Sequence, residues 1–150
     1  MNKWDIRWLQ LAQFISNWSK DPSTKVGAVV AIGKEEISKG YNGFARGEND
    51  HPLLYKDREY KYKHILHAED NALERAEGYD LSEATFYTWP CQPCAVCTQK
   101  LIDKGVKRIV TVAPTQDMLD RWKDSFEESQ KLLDSAGVEI LFYSGDQLII

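Results

Sequence analysis

The 150-residue chain is poor in cysteine, has no long hydrophobic run and carries no excess of basic charge. Each shortage removes a class of protein. Only Cys91, Cys94 and Cys97 are present. An odd number of cysteines, in a chain that does not open with an export signal, argues against a disulfide framework. The longest apolar stretches, such as Val26 to Ile32, are far too short to cross a bilayer, so no membrane partner is expected. Met1-Asn2-Lys3-Trp4-Asp5 lacks the basic-then-apolar pattern of a secretory leader, which makes the cytoplasm the default compartment. Nineteen basic against 23 acidic side chains leave a net charge of −4. A nucleic-acid-binding domain normally carries a basic stripe, so no stable nucleic-acid partner is expected. Repeats, low-complexity tracts and linker-like segments are also missing, and residues 1–150 read as one domain.

What is present is a regular alternation of helical and extended patterns. Trp4, Trp8, Leu11, Ala12, Ile15 and Trp18 recur at three- and four-residue spacing and predict a helix from about Asp5 to Trp18. Its tryptophan-bearing face suits core or subunit packing better than a ligand platform, and it points to a homo-oligomer. Val26 to Ile32 predicts a buried strand that pairs back with Glu36 to Tyr41 as a hairpin. Phe44 to Lys63 is a long polar stretch with room for a short helix, and loops of that length are often functional. Within it Lys56, Arg58, Lys61 and Lys63 cluster among Asp57 and Glu59, as a solvated loop or a phosphate-facing patch. Further along, helices are predicted over Ile65 to Ala76, Cys91 to Lys104 and Gln116 to Ala136, and strands over Ala84 to Thr88, Arg108 to Val112 and Val138 to Tyr143. A hairpin followed by strands that alternate with helices implies an α/β fold: a mixed five-stranded sheet covered by helices on both faces, a three-layer α-β-α sandwich.

Two fragments carry chemistry, His67-Ala68-Glu69 and Pro90-Cys91-Gln92-Pro93-Cys94. A Cys-x-x-Cys pair opening a helix puts both sulfurs within reach of one ion, and the positive end of the helix favours thiolate. Cys91 and Cys94 with His67 make three protein ligands and leave a fourth position open, the arrangement of catalytic zinc. Zinc in such a site brings the pKa of water toward neutrality and makes hydroxide available at pH 7. Glu69, two residues after His67, can reach that position without ligating the metal, and can carry a proton from nucleophile to leaving group. The alternative is a structural zinc clamp in a non-catalytic scaffold, with Cys97 as a fourth ligand; otherwise Cys97 is a small buried hydrophobe. His51 and His64 fall outside both fragments, and His64 reads as a structural or rim histidine.

The sequence resembles the deoxycytidylate deaminase family of the cytidine-deaminase-like superfamily. The resemblance rests on Ser19-Lys20-Asp21-Pro22-Ser23-Thr24-Lys25-Val26-Gly27-Ala28, Gly40-Tyr41-Asn42-Gly43, His67-Ala68-Glu69-Asp70-Asn71-Ala72 and Pro90-Cys91-Gln92-Pro93-Cys94, with Ala136-Gly137-Val138 near the end. It implies a cytidine-deaminase-like fold, one zinc ion, hydrolysis of dCMP to dUMP and ammonia, and a homo-oligomer that is a dimer or a hexamer. It also implies that Asn42 meets the sugar or base, that the backbone around Ala68 meets the pyrimidine edge, and that Arg46, with Lys25 as a rival, meets the 5′-phosphate. Asp57 to Lys63 departs from the family pattern, and Arg75-Ala76-Glu77-Gly78 assigns no nucleotide-triphosphate regulatory site. Other deaminations stand as alternatives: a 5-substituted dCMP, free cytosine or guanine, a riboflavin precursor, or tRNA adenosine.

Overall fold

The computed structural model describes residues 2–149. Its centre is a sheet of five strands in the order β2-β1-β3-β4-β5. The strands are β1 (Gly27–Ile32), β2 (Glu35–Tyr41), β3 (Thr85–Trp89), β4 (Arg108–Val112) and β5 (Glu139–Tyr143). β1 runs antiparallel to both β2 and β3, while β3, β4 and β5 are mutually parallel. A tight turn suffices for the β1–β2 hairpin, whereas each parallel step needs a crossover. Those crossovers are α5 (Ala95–Asp103) and α6 (Gln116–Ala136).

The central strands are apolar throughout because both of their faces are covered. Ala28, Val30, Phe86 and Ile109 point to one side, where they pack with Ala72 and Leu73 of α4 (Ala68–Arg75), Leu101 of α5 and Leu133 of α6. Val29, Ala31, Tyr87 and Val110 point to the other, against Leu9, Ala12 and Ile15 of α1 (Lys3–Ser16). The three-layer sandwich expected from the sequence is therefore the observed fold. Two glycines set how closely helices sit on it. A Cβ on Gly27 would stand 1.9 Å from the Ala12 carbonyl oxygen of α1, and one on Gly40 would stand 2.6 Å from that of Ala68 in α4. Among the described residues, no helix is long and apolar enough to cross a membrane.

Several boundaries and faces differ from expectation. α1 starts at Lys3, where the Asn2 side chain accepts the Trp4 N–H at 2.9 Å, and it ends before Trp18. Its buried stripe is Asp5, Leu9, Ala12, Ile15 and Ser16, so Trp4 and Trp8 are only half-buried and Trp18 is exposed. A buried aspartate is tolerable because Arg108 donates to both its oxygens at 2.9 and 2.7 Å, and Tyr87 and Tyr143 donate to them at 2.7 and 2.9 Å. α4 begins at Ala68 and not at Ile65, because Leu66 is extended and exchanges backbone hydrogen bonds with Gly43 at 2.8 and 3.0 Å. α5 begins at Ala95 and not at Cys91, since Pro93 keeps Gln92 out of helical angles.

The long polar stretch holds two short helices, α2 (Pro52–Lys56) and α3 (Arg58–His64). Rings knit it together. Phe44 stacks on Tyr55 and Tyr60 stacks on His64, each at 4.1 Å between centroids. Glu48 accepts from the Tyr60 hydroxyl at 3.2 Å and lies 2.9 Å from His64 Nδ1. His51 caps α2 by accepting the Leu53 N–H at 3.1 Å. Both histidines are thus accounted for within this segment.

Candidate active site

The first turns of α4 and α5 lie side by side and present three soft donors to each other. His67 is the N-cap of α4, Cys94 is the N-cap of α5, and Cys97 sits one turn along α5. Their ligating atoms all fall within 4.8 Å of one another. His67 Nδ1 is 3.2 Å from the sulfur of Cys97 and 3.7 Å from that of Cys94. A tetrahedral zinc with ordinary bond lengths separates its ligands by roughly 3.5–3.8 Å, so the cluster has the right size for that ion.

This group holds Cys97 and not the expected ligand Cys91. Cys91 precedes the helix and sits in a bend, with its carbonyl accepting from the Thr88 hydroxyl at 2.8 Å. Burial pushes its thiol up to about 12, and Cys91 shares one cleft with His67, Glu69 and Cys94. Cys94 is the opposite. Its thiol is pulled down to about 4, first by the Cys97 thiol that donates to it and then by His67, against a burial cost. His67 is raised to about 9, chiefly by its hydrogen bond to Cys94. Cys97 is pushed up by its hydrogen bond to Cys94 and by burial. A thiolate, a basic imidazole and a thiol already aimed at both are the donor set that a soft divalent cation takes over by displacing protons.

Glu69 stands beside the cluster without joining it. It is the second residue of α4 and is buried, at 5% exposure. Burial raises its pKa, opposed by the His67 charge and a hydrogen bond with Cys97. A buried carboxylate with an elevated proton affinity next to a metal-binding group is suited to carry protons. The neighbouring Asp70 does structural work: it accepts the His67 N–H at 3.4 Å and pairs with Lys100 at 2.5 Å, which joins α4 to α5. Ala95 N–H donates to the Ser125 hydroxyl at 3.1 Å, which ties the start of α5 to α6.

His67, Glu69, Cys91 and Cys94 line a cleft of about 430 Å³, outside which Cys97 lies; the cleft also reaches Asp21, Asn42, α3 and the kinked part of α6 at Trp122. Asn42 lines it, but its amide is engaged: Oδ1 accepts the Val26 N–H at 2.9 Å, and Nδ2 donates to the Thr24 carbonyl at 2.9 Å. Ala68 is buried at the start of α4, between His67 and Glu69. Arg46 is exposed and is not among the residues lining the cleft; neither is Lys25, which donates to the Ser19 carbonyl. Cations do line it, namely Arg58 and Lys61 of α3 and Arg121 of α6. Of the basic cluster Lys56, Arg58, Lys61 and Lys63, only Arg58 and Lys61 reach the cleft, while Lys56 and Lys63 are exposed. Nothing local in an amphipathic helix signalled Arg121, Trp122 and Ser125, because only the fold turns that end of α6 over the cleft. A larger open groove of about 640 Å³ along α6, lined by Gln116, Leu119, Lys123 and Phe126 among others, contains no cysteine or histidine.

Residues 2–113 match the cytidine and deoxycytidylate deaminase zinc-binding region. The chain belongs to that family, whose members are zinc-binding deaminases. An uncharacterised deaminase from the luxG 3′ region of Aliivibrio fischeri is 37% identical, over 99% of each chain. Human deoxycytidylate deaminase is 28% identical, over 91% of this chain and 77% of its own length. Among solved structures, the dCMP deaminase of cyanophage S-TIM5 in complex with dCMP and dUMP superposes with a TM-score of 0.71 at 19% identity, over 95% of this chain and 98% of that one. That likeness establishes the shared fold.

Proposed function

We propose that this deaminase hydrolyses the exocyclic amine of a cytosine nucleotide, with dCMP as the preferred substrate, and releases dUMP and ammonia. His67, Cys91 and Cys94, which line the cleft beside Glu69, would hold the zinc ion, with Cys97 as the alternative second sulfur. When bound, zinc supplies acidification of water, so that a strong nucleophile exists near neutral pH. Glu69 takes the proton from the water that attacks C4, gives it to the ring nitrogen N3, and then supports proton delivery to the departing amine. The C4–N bond breaks as the C4–O bond becomes a carbonyl, so one water is consumed for each ammonia released. The backbone at Ala68 faces the pyrimidine edge. Asn42 holds residues 24–26 in place and can still offer the second lone pair of Oδ1 to substrate.

The observation that carries this reading is the burial of Glu69 in the cleft wall that it shares with His67, Cys91 and Cys94. A structural zinc clamp needs no carboxylate there. The nucleotide part of the reading is supported by the cations of the cleft in an otherwise acidic chain, and by the deoxycytidylate deaminases among the relatives. The test is to incubate zinc-loaded protein with dCMP, CMP, cytosine, guanine and tRNA. Fastest turnover of dCMP is expected. Turnover of guanine or tRNA without turnover of dCMP overturns the substrate assignment.

The reading includes self-association. Trp18 packs edge-on against Phe14 at 5.9 Å and against Tyr41 at 6.1 Å, yet Phe14 is 60% and Trp18 49% exposed. Contiguous exposed rings of this kind mark interaction surfaces. Sedimentation equilibrium should find a dimer or larger; a monomer at high concentration contradicts it.

A further inference from the structure

We infer that α3 decides which cytosine compound is accepted: Arg58 and Tyr62 on its cleft side are the specificity-determining pair, and Lys61 is the residue that holds them there. The inference rests on the cytosine-nucleotide reading above and assigns its phosphate discrimination to a segment between the short motifs that carry the sequence resemblance.

The charges of the cleft lead to Arg58. Its ionisable lining comprises Arg58, Lys61 and Arg121 on the basic side and Asp21 and Glu69 on the acidic side, with His67, Cys91 and Cys94 at the candidate metal group. Glu69 is buried beside that group. Lys61 is committed to Asp21 at 3.1 Å, with only 15% and 5% of the two side chains exposed. Arg121 lies 3.1 Å from Asp117, one turn back on α6. Arg58 has no carboxylate among its ion pairs in the described residues; its guanidinium lies over the Tyr62 ring at 5.3 Å. A guanidinium offers paired donors in the plane of its fork while its face stacks on an aromatic ring, so the stacked pose leaves the fork available to a phosphate. Tyr62 is 65% exposed although it lines the cleft, which gives the wall an uncovered ring beside that fork.

The position of α3 is itself held by the buried ion pair. Asp21 accepts from Lys61, from the Ser23 N–H at 2.8 Å and from Asn42 Nδ2 at 3.4 Å. Lys61 therefore links α3 to the same loop that Asn42 braces. Removing its charge would leave Asp21 buried with one donor fewer and would release the helix that carries Arg58 and Tyr62.

The experiment compares kcat/KM for dCMP and for deoxycytidine. Arg58→Gln should lower the ratio of the two about ten- to a hundredfold, the range expected for one charge-assisted hydrogen bond to phosphate. Lys61→Gln should lower it through a raised KM for dCMP, and Lys61→Arg should restore most of that loss, which a merely destabilised fold would not do. Equal losses on both substrates in Arg58→Gln, or an unchanged ratio, overturn the inference. So does a fall in the ratio in Arg46→Gln without one in Arg58→Gln. If the wild-type protein turns over no cytosine compound, the functional reading fails and the inference falls with it; if it deaminates dCMP and the ratio ignores Arg58, only the inference fails.

Discussion

Nδ1 of His67 lies 3.2 Å from the sulfur of Cys97, a contact between the start of one helix and the first turn of another. Two overlapping Cys-x-x-Cys pairs therefore compete for one ion, Cys91 with Cys94, which line the cleft, and Cys94 with Cys97. The expected outcome is that Cys91→Ser loses zinc together with activity, while Cys97→Ser retains about one zinc per chain. Metal analysis of the purified variants decides the matter. Stoichiometric zinc in Cys91→Ser, or its loss in Cys97→Ser, would put Cys97 in the ligand set.

Glu69 provides a separate handle on chemistry as opposed to metal binding. Glu69→Gln preserves shape and removes the proton acceptor, so zinc content and the far-ultraviolet spectrum should stay as in the wild type. Turnover should fall by about 10³-fold, within the range contributed by general acid–base catalysis. Activity within tenfold of wild type would refute the proton-carrying role.

The Asp5–Arg108 pair predicts a stability effect on the opposite face of the sheet from α4. Burial pushes the Asp5 carboxyl up, but hydrogen bonds from Arg108, Tyr87 and Tyr143 outweigh this and leave it below its ordinary value of 3.8. A carboxylate with a depressed folded-state pKa contributes stability above its unfolded value, and that contribution fades as pH falls through the folded value. Asp5→Asn should therefore cost about 2–3 kcal/mol at neutral pH, less than loss from a fully buried pair because Arg108 remains 27% exposed. Urea melts at pH 7 and at about pH 2.5 measure the gap, which should narrow at the acid pH. An equal gap at both would remove Asp5 from the acid response.

Much of the fold was legible because local pattern and tertiary environment agree. β4 and α6 match their expected bounds, Arg108 to Val112 and Gln116 to Ala136, since an apolar run and an amphipathic helix closed by Gly137 mean the same thing alone as in the fold. Where the two diverge, sequence reading failed for identifiable reasons. Asp5 turns inward because partners at Tyr87, Arg108 and Tyr143, distant in sequence, satisfy it. Cys97 lies near His67 because α5 starts at Ala95, after Pro93, a boundary that the Cys-x-x-Cys spacing alone does not fix. Arg58 lines the cleft and Arg46 does not, in a segment whose path is set by ring stacking among Phe44, Tyr55, Tyr60 and His64, and such stacking has no local signature.

Gly40 couples the edge of the sheet to the site. A Cβ there would fall 2.6 Å from the Ala68 carbonyl oxygen and 2.7 Å from the Ala72 nitrogen, both backbone atoms of α4 that cannot rotate aside. Gly40→Ala must therefore push α4 off β2. The first turn of α4 carries Glu69, and His67 caps it, so the displacement moves the proton carrier and one metal donor relative to Cys94 and Cys97 on α5. Overpacking of this kind costs about 1–3 kcal/mol, while a shift near 1 Å at reacting groups can cost about 10²-fold in rate. The expected result is a protein that still folds in the cold, binds zinc more weakly and has a kcat about 10²-fold lower per zinc-loaded molecule. Gly27→Ala separates the two effects, because its Cβ would strike the Ala12 carbonyl of α1 on the opposite face of the sheet. That variant should lose stability while its folded fraction keeps its kcat and its zinc. If Gly40→Ala loses stability alone, in the manner of Gly27→Ala, then the seating of α4 on β2 does not govern the geometry of the site.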